Sequence, residues 1–232
     1  MADESTLRKD RGTVSSMFDS IAPVYDRLNH ILSFGIDRRW RRALVREACS
    51  AKVRNVLDVA CGTGDVSIAL AAEGLDVTGI DISGRMLEAA RMKQAGGHVD
   101  FRLGDASSPG FPPASFDCVT IAFGIRNFED RHKCITELHR VLRPSGTMLI
   151  LEFSIPENRL WCSAYSFYFK NVLPRIGRMV SGQKYAYEYL PASSFAFPSP
   201  DLFAAELRAG GFSDISYRPL TGGVAVLYKA LY

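Results

Sequence analysis

A regular alternation between residues 53 and 153 limits most strongly what this chain can fold into. Short runs rich in β-branched residues are separated there by longer stretches in which apolar residues recur at helical spacing. This pattern is typical of βαβ units that share one parallel sheet. It predicts five strands, over residues 53–60, 75–83, 99–106, 115–123 and 147–154. The last run is almost entirely apolar, as expected of a strand that is covered on both faces.

Helical periodicity and turn residues complete the prediction. We expect helices over 65–73, from Ser83 through Met92, over 130–142 and over 200–209. The helix over 130–142 should stop at Arg143-Pro144-Ser145-Gly146, because proline cannot continue a helix and glycine permits a turn. Two further runs, 214–220 and 222–231, are expected to pair as strands at one edge. The predicted fold is α/β: a Rossmann-like, seven-stranded, mostly parallel sheet with helices on both faces.

Two segments lie outside this alternation. The N-terminal residues, about 1–48, are expected to form a helical flap before the first strand. Residues 161–197 hold ten of the 25 aromatic residues, so we expect an inserted cap over about 154–198. Its rings either belong to the core or receive an apolar chain. At 232 residues, the chain 1–232 is predicted to be a single domain with these attachments.

Composition excludes several classes of protein. The formal charge of +3 gives no reason to expect nucleic acid as a partner. Five cysteines without C-x-x-C spacing fit reduced thiols in a cytoplasmic protein, and no metal site is predicted. The N-terminus lacks the apolar region of a secretory signal, and no stretch reaches the ~20 apolar residues that cross a membrane. We therefore expect a cytoplasmic protein, with peripheral attachment to the inner face of the membrane left open.

The run LDVACGTGD, residues 57–65, leads a predicted strand into two glycines flanked by aspartates. A turn of this kind is a nucleotide-type site at the carboxyl end of a parallel sheet. The dinucleotide fingerprint G-x-G-x-x-G is incomplete, because Ser67 stands at its third glycine. Asp58 and Asp65 would also repel a pyrophosphate. Asp58, Gly62 and Gly64 are therefore predicted to bind a cofactor that carries positive charge.

Acidic residues end the next two strands as well. Asp81 ends the second strand, where its carboxylate can accept both ribose hydroxyls of an adenosine. Asp105 ends the third strand, where it can accept the adenine amine beside the Ala106 amide. Each aspartate alone is also explained as a turn or helix-cap residue. Together with the glycine loop, however, they predict S-adenosylmethionine, which has a sulfonium and an α-ammonium but no phosphate.

The same stretches resemble a known family. The runs DVACGTGD, GIDIS, GDA and LRPSG are similar to those of class I S-adenosylmethionine-dependent methyltransferases. The runs 17–42 and FGIRNFEDR (123–131) resemble the C-methyltransferase family of menaquinone and ubiquinone biosynthesis. The resemblance implies cofactor contacts at Thr63, Asp81, Asp105 and Ala106. Ala122 departs from family members that have a serine there.

The family's activity implies a polyprenyl quinol as substrate, most simply demethylmenaquinol or a methoxy-polyprenyl-benzoquinol. A ring carbon becomes nucleophilic when the neighbouring hydroxyl loses its proton, which requires the reduced quinol. An O- or N-methyltransferase of another aromatic compound stays open, as does a non-catalytic, cofactor-binding subunit of a quinone-synthesis complex. The sequence leaves open the ring type, the length of the tail, the proton acceptor and whether the protein is a homodimer.

Two residues are the catalytic candidates. Arg126 follows the fourth strand, where a guanidinium can stabilise a phenolate. The alternative for Arg126 is an ion pair with Glu129 or Asp130. Tyr25 lies in the predicted flap, where it either closes over the substrate or packs the flap onto the core. The arginine-rich run 38–46 is either a solvated helix face or a contact with anionic lipid headgroups.

Overall fold

The computed structural model describes residues 9–50, 53–94, 98–181 and 184–232. Within them, seven strands form one sheet in the order β3-β2-β1-β4-β5-β7-β6. β7 runs antiparallel to both of its neighbours, and the other pairings are parallel. The strands are β1 (Asn55–Val59), β2 (Asp76–Asp81), β3 (Val99–Leu103), β4 (Phe116–Ala122), β5 (Leu142–Phe153), β6 (Asp214–Leu220) and β7 (Ala225–Leu231). The predicted α/β fold is confirmed.

Helices flank the sheet and connect its strands. They are α1 (Arg11–Ile21), α2 (Tyr25–Leu32), α3 (Asp37–Ser50), α4 (Asp65–Ala72), α5 (Gly84–Lys93), α6 (Arg131–Val141), α7 (Arg159–Phe167), α8 (Leu173–Ser181), α9 (Lys184–Phe195) and α10 (Pro200–Ala209). Ser83 caps α5 by accepting a hydrogen bond from the Met86 amide, as its position in the sequence predicts. Asp130 caps α6 in the same way through the Lys133 amide.

The strands alternate in the face to which their side chains point. Val56 of β1 packs with α1–α5 and α7–α9, whereas Leu57 and Val59 pack with α6 and α10. Both faces of the sheet are therefore covered, and full burial of one such side chain contributes about 1.5–3 kcal/mol. Met92, expected on the apolar side of α5, is instead 82% exposed, because it faces solvent in the last turn of that helix.

The predicted end of the helix at Arg143-Pro144-Ser145-Gly146 is confirmed, but the next strand begins earlier than expected. α6 ends just before this run, at Val141, and residues 142–146 already belong to β5. The register between β4 and β5 shifts between Phe116 and Cys118, and Ser145 has a φ of +67°. Proline is tolerated at the start of a strand and at such an irregularity, so the strand begins earlier than the sequence suggests.

The two attachments contact the sheet and one another. In the flap, whose residues 1–8 lie outside the described part, the Ser15 hydroxyl donates to the Ile82 carbonyl at 3.0 Å. Asp19 accepts from the Ser83 hydroxyl at 2.6 Å, which fixes α1 over the end of β2. The Tyr168 hydroxyl, between α7 and α8, donates to the Leu32 carbonyl at the end of α2. None of the described helices is both long and apolar enough to cross a bilayer.

Candidate functional site

A cavity of about 340 Å³ lies beyond the carboxyl ends of β1–β4. We call it the strand-end cavity. Four of the predicted cofactor residues line it: Gly62, Asp81, Asp105 and Ala106. Phe18 and Tyr25 close it from the flap side. This is the position at which open α/β sheets bind ligands, and the volume is in the range of small-molecule sites.

Asp81 is the anchor of this cavity. Its Oδ2 accepts the Gly62 amide at 2.8 Å, and its Oδ1 accepts the Ser83 amide at 2.8 Å. Burial raises the pKa of Asp81 to about 6, although these amides act in the opposite direction. Each carboxylate oxygen has a second lone pair, so Asp81 can still accept hydroxyl donors from a ligand.

Three amides of the glycine loop are already occupied. Cys61 N–H donates to the Ile80 carbonyl, Gly62 N–H to Asp81, and Gly64 N–H to the Cys61 carbonyl. Phosphate binding at such a loop depends on free N–H groups that point at the anion. The loop therefore suits a ligand that brings hydroxyl and ammonium donors, as S-adenosylmethionine does, better than it suits a dinucleotide.

Asp58 lies beneath the loop, and the described wall of the strand-end cavity does not include it. Its carboxylate accepts from the Ser67 hydroxyl at 2.5 Å and from the Thr120 hydroxyl at 2.7 Å. Burial raises its pKa to about 6. Asp58 thus ties α4 and β4 to β1 and supports the loop from below, which differs from the direct ligand contact expected of it.

Thr63 and Gly64 are likewise placed in the loop itself. The Thr63 hydroxyl donates to Asp26 of α2 at 2.5 Å. Lys93 bridges Asp26 and Asp65 with distances of 2.7 and 2.5 Å. This joins the flap to the loop. Gly64 has a φ of +79°, and a Cβ there would lie 2.7 Å from the Phe101 ring, so the close approach of loop and β3 requires glycine.

The far side of the strand-end cavity is formed by the end of β3 and by the flap. Asp105 lies 3.4 Å from Arg11 of α1, and its Oδ1 accepts the Ser107 amide. Ala106 is buried beside it. Asn127 also lines the cavity, and its buried Oδ1 has no hydrogen-bond partner among the described residues. A ligand donor can satisfy that oxygen, since an unpaired buried acceptor is costly.

A second cavity, of about 270 Å³, lies between α1–α3 and α7–α9. We call it the aromatic cavity, because its walls are mostly aromatic and aliphatic side chains. Phe18, Tyr25 and Phe123 line both cavities and so form the partition between them. Tyr25 packs edge-on against Phe18, with ring centroids 6.1 Å apart. Phe123 has a φ of +60°, which is unusual for a bulky residue.

Arg126 lies on a short turn after β4 and lines the aromatic cavity. Its predicted partners, Glu129 and Asp130, line the strand-end cavity instead. The guanidinium pairs with Glu152 at 2.9 Å and donates to the Phe123 carbonyl. It also lies over the Phe153 ring. The alternative that Arg126 forms an ion pair is therefore right in kind but wrong in partner, because β5 brings a residue from far along the chain beside the turn.

Three polar atoms of the aromatic cavity are buried without a partner in the described part of the chain. They are Arg126 Nε, Tyr165 Oη and Tyr189 Oη. Burial raises the pKa of Tyr189 to about 12, and that of Tyr165 further still, so both stay protonated at neutral pH and can donate. Three unsatisfied donors in a mostly apolar cavity suit a ligand that carries oxygen atoms on an apolar ring.

Sequence reasoning missed Glu152, Asp37, Tyr165 and Tyr189. Glu152 is a lone acid in an apolar strand, which is a usable signal because a fully buried carboxylate needs a partner. Asp37 also lines the aromatic cavity and is the acid that precedes the arginine-rich run. The two tyrosines carry no individual signal within so many aromatic residues.

Cys61 packs under the loop, where burial raises its thiol pKa well above the ordinary value and so keeps it a poor nucleophile. Within the described ranges, no group of three or more His, Cys, Asp or Glu side chains could hold a metal ion.

Comparison with known proteins gives consistent matches over most of the chain. A family model described as the ubiE/COQ5 methyltransferase family matches residues 5–231. A demethylmenaquinone methyltransferase from Deinococcus radiodurans is 46% identical over 226 residues, covering 95% of this chain and 93% of that protein. A ubiquinone/menaquinone biosynthesis C-methyltransferase UbiE from Geotalea daltonii is 45% identical and covers 93% of this chain and 94% of its own. A SAM-dependent methyltransferase structure from Thermotoga maritima matches with a TM-score of 0.67 at 16% identity, over 93% of this chain and 98% of its own, which shows the fold alone.

Proposed function

The chain belongs to the ubiE/COQ5 methyltransferase family, and from that membership we propose that it methylates a ring carbon of demethylmenaquinol. It is a methyltransferase that uses S-adenosylmethionine. The names of its relatives support a quinol substrate. The observation that carries the proposal is the set of unsatisfied donors in the aromatic cavity, directly across a three-residue partition from the strand-end cavity.

The strand-end cavity is assigned to S-adenosylmethionine. Asp81 would accept the ribose hydroxyls, and Asp105 with Ala106 would hold the adenine. Gly62 lets the backbone approach the ligand closely, because it has a φ of +56° and no side chain toward the cavity. Asp58, Thr63 and Gly64 would act by shaping the loop. When bound, S-adenosylmethionine supplies an electrophilic methyl group on a sulfonium.

The aromatic cavity is assigned to the quinol ring. Arg126 holds a permanent positive charge there, which favours ionisation of a quinol hydroxyl. Tyr165 and Tyr189 would donate hydrogen bonds to a quinol oxygen. An ionised hydroxyl makes the adjacent ring carbon nucleophilic. That carbon gains the methyl group and then loses its hydrogen as a proton, while the ionised oxygen regains a proton, so the reaction releases one proton in total.

Tyr25 is assigned to the partition rather than to proton transfer. Burial raises its pKa, so it stays a neutral phenol and a poor base. Together with Phe18 and Phe123 it lines the junction of the two cavities, where the methyl group would pass from one ligand to the other, and their rings would leave little room for water there. The flap (about 1–48) and the cap (about 154–198) are the parts that shape this space.

We also propose that the mouth of the aromatic cavity contacts the membrane surface. Phe34, which lines the cavity, is 78% exposed, and on α7 Leu160 and Phe167 are 85% and 64% exposed. Arg38, Arg39 and Arg42 of α3 are exposed beside Phe34 in sequence. Apolar side chains flanked by arginines suit an anionic bilayer surface, from which a polyprenyl tail can enter.

The test is a methylation assay with methyl-labelled S-adenosylmethionine and a chemically reduced short-chain demethylmenaquinol. The expected product carries one labelled methyl on the ring carbon, identified by mass spectrometry of fragments, and the unreduced quinone gives none. Label on a heteroatom, or turnover of a benzoquinol but not of the naphthoquinol, would overturn the proposed substrate. Cofactor binding without turnover of either quinol would overturn the proposed reaction.

A further inference from the structure

Asp37 is a buried carboxylate on the wall of the aromatic cavity that the methylation chemistry does not use. It is the first residue of α3, and its side chain is 5% exposed. Among the described residues of that wall it is the only carboxylate. A charge in such a place requires partners, and Asp37 has them.

Three neighbours hold the carboxylate in one orientation. The Ser33 hydroxyl donates to Oδ1 at 2.7 Å, and His30 Nδ1 lies 2.8 Å from Oδ2. Arg41 also donates to Oδ2. Burial acts to raise the pKa of Asp37, but Ser33, Arg41 and His30 together hold that pKa below its ordinary value. Asp37 is therefore ionised at neutral pH and accepts hydrogen bonds without donating any.

The carboxylate retains capacity for one further donor. An ionised carboxyl group accepts about four hydrogen bonds, two at each oxygen. Oδ2 receives two of the described donors and Oδ1 receives one. The remaining lone pair is thus on Oδ1, the oxygen that accepts from Ser33, another residue of the cavity wall.

This arrangement distinguishes the two redox states of a quinone. A quinol presents hydroxyl groups, which can donate to the carboxylate. A quinone presents carbonyl oxygens at the same positions, and these repel an anion because both groups are acceptors. Arg126, Tyr165 and Tyr189 are donors that suit either state, and Asn29, Ser33 and Thr221 can donate or accept. None of these groups accepts hydrogen bonds without being able to donate, so none of them turns a carbonyl oxygen away.

We propose that Asp37 is the residue by which the enzyme selects the reduced form of its substrate, accepting one quinol hydroxyl and excluding the quinone. This inference rests on the proposed function, because it presumes that the aromatic cavity holds the quinol. It assigns to Asp37 a role in specificity and not in methyl transfer.

The experiment is a pair of binding titrations on protein loaded with S-adenosylhomocysteine, read by quenching of tryptophan fluorescence. The probe is a short-chain demethylmenaquinone, titrated in air as the quinone and, in a separate sample under nitrogen with dithionite, as the quinol. The wild-type protein is expected to bind the quinol about tenfold or more tightly than the quinone. Equal affinities in the wild type would overturn the proposal without any variant.

Asp37→Asn replaces the anion with an amide that can donate to a carbonyl. The quinone-to-quinol ratio of dissociation constants is expected to fall about tenfold in this variant. Asp37→Glu keeps the anion and should retain the preference for quinol. Asp65→Asn is the matched control, because Asp65 lies 3.7 Å from the same Arg41 but is absent from the described wall of the cavity.

Two outcomes contradict the proposal. An unchanged ratio in Asp37→Asn, with both affinities lowered alike, means that Asp37 only supports the α2–α3 turn. An equal fall of the ratio in Asp65→Asn means that Arg41 makes the distinction. Neither result bears on the proposed function, which is tested separately by the amount and the position of the labelled methyl group in the product.

Discussion

The Arg126 guanidinium and the Glu152 carboxylate lie 2.9 Å apart, and both side chains are buried. The Glu152 carboxylate also accepts two backbone hydrogen bonds. Its Oε2 accepts the Arg126 amide, and its Oε1 accepts the Phe153 amide. The charge that faces the aromatic cavity is therefore held by the sheet itself. Because the pairing offsets a large part of the desolvation of both ions, the pair should be sensitive to loss of either partner.

Glu152→Gln is expected to lower the free energy of unfolding by about 3 kcal/mol, because it leaves a buried cation without its counter-ion. The measurement is urea denaturation followed by circular dichroism. Glu206→Gln is the matched control: it breaks the partly exposed pair with Arg131, also at 2.9 Å, and should cost less than about 1 kcal/mol. Equal losses in the two variants would show that the buried pair has no special role.

Arg126→Lys should mainly lower turnover. A lysine keeps the charge but cannot hold the Glu152 and Phe123 contacts in the same plane, so we expect kcat to fall about a hundredfold. The dissociation constant of S-adenosylhomocysteine should stay unchanged, because Arg126 lines the other cavity. Arg140→Lys, on the surface of α6 beside Glu137, is the control. Weaker cofactor binding at constant kcat would reverse the assignment.

Cofactor binding should depend on pH through Asp81. Burial raises the pKa of Asp81 to about 6, above the value of roughly 4 in an unfolded chain. The folded free protein therefore binds this proton more tightly, and the stability contributed by Asp81 is present below pH ~4 and lost as the pH rises through about 6. Asp58, with a pKa also near 6, acts in the same direction.

The ionised form of Asp81 is the better acceptor for ribose hydroxyls. The thermal stabilisation by S-adenosylhomocysteine is thus expected to increase as the pH rises from about 5 to about 8, and this is measured by differential scanning fluorimetry. Asp81→Asn should remove most of the increase. A stabilisation that is the same at both ends of this range would contradict the role of Asp81.

Removal of exposed apolar side chains from α7, the helix whose Ala164 lines the aromatic cavity, should weaken membrane contact. For Leu160→Ser with Phe167→Ser, we expect about a tenfold loss of binding to vesicles that contain anionic lipid, in a sedimentation assay at low salt. Met92→Ser is the matched control, because Met92 is equally exposed, at 82%, but lies on α5. An equal loss in Met92→Ser, or no sedimentation of the wild type, would refute the proposed contact.

Local patterns were sufficient to predict the strands, the helices of the sheet and the position of the strand-end cavity. Strand β1, the glycine loop and Asp81 are encoded within a few tens of residues, because a parallel sheet brings consecutive strand ends to one edge. The role of Asp58 could not be predicted in this way. Ser67 and Thr120, which occupy its oxygens, meet it only after β4 has paired with β1.

The aromatic cavity depends on contacts that a linear pattern does not contain. Arg126 and Glu152 are separated by 26 residues, and the sequence suggested the nearer acids instead. Asp37 and Tyr189 approach one cavity from the flap and from the cap, whose relative placement follows from tertiary packing. The start of β5 was misjudged because Pro144 usually ends regular structure, whereas a register shift accommodates it here.

Phe123 combines a left-handed backbone with a large ring that packs against Trp40 and Phe153. A glycine would relieve a backbone penalty of about 1–2 kcal/mol at this position. The same change would, however, remove a ring from the junction of the two cavities, so that water could reach the methyl group as it passes between the two ligands. Substitutions meant to raise thermal stability are better made at surface positions, away from the junction of the two cavities.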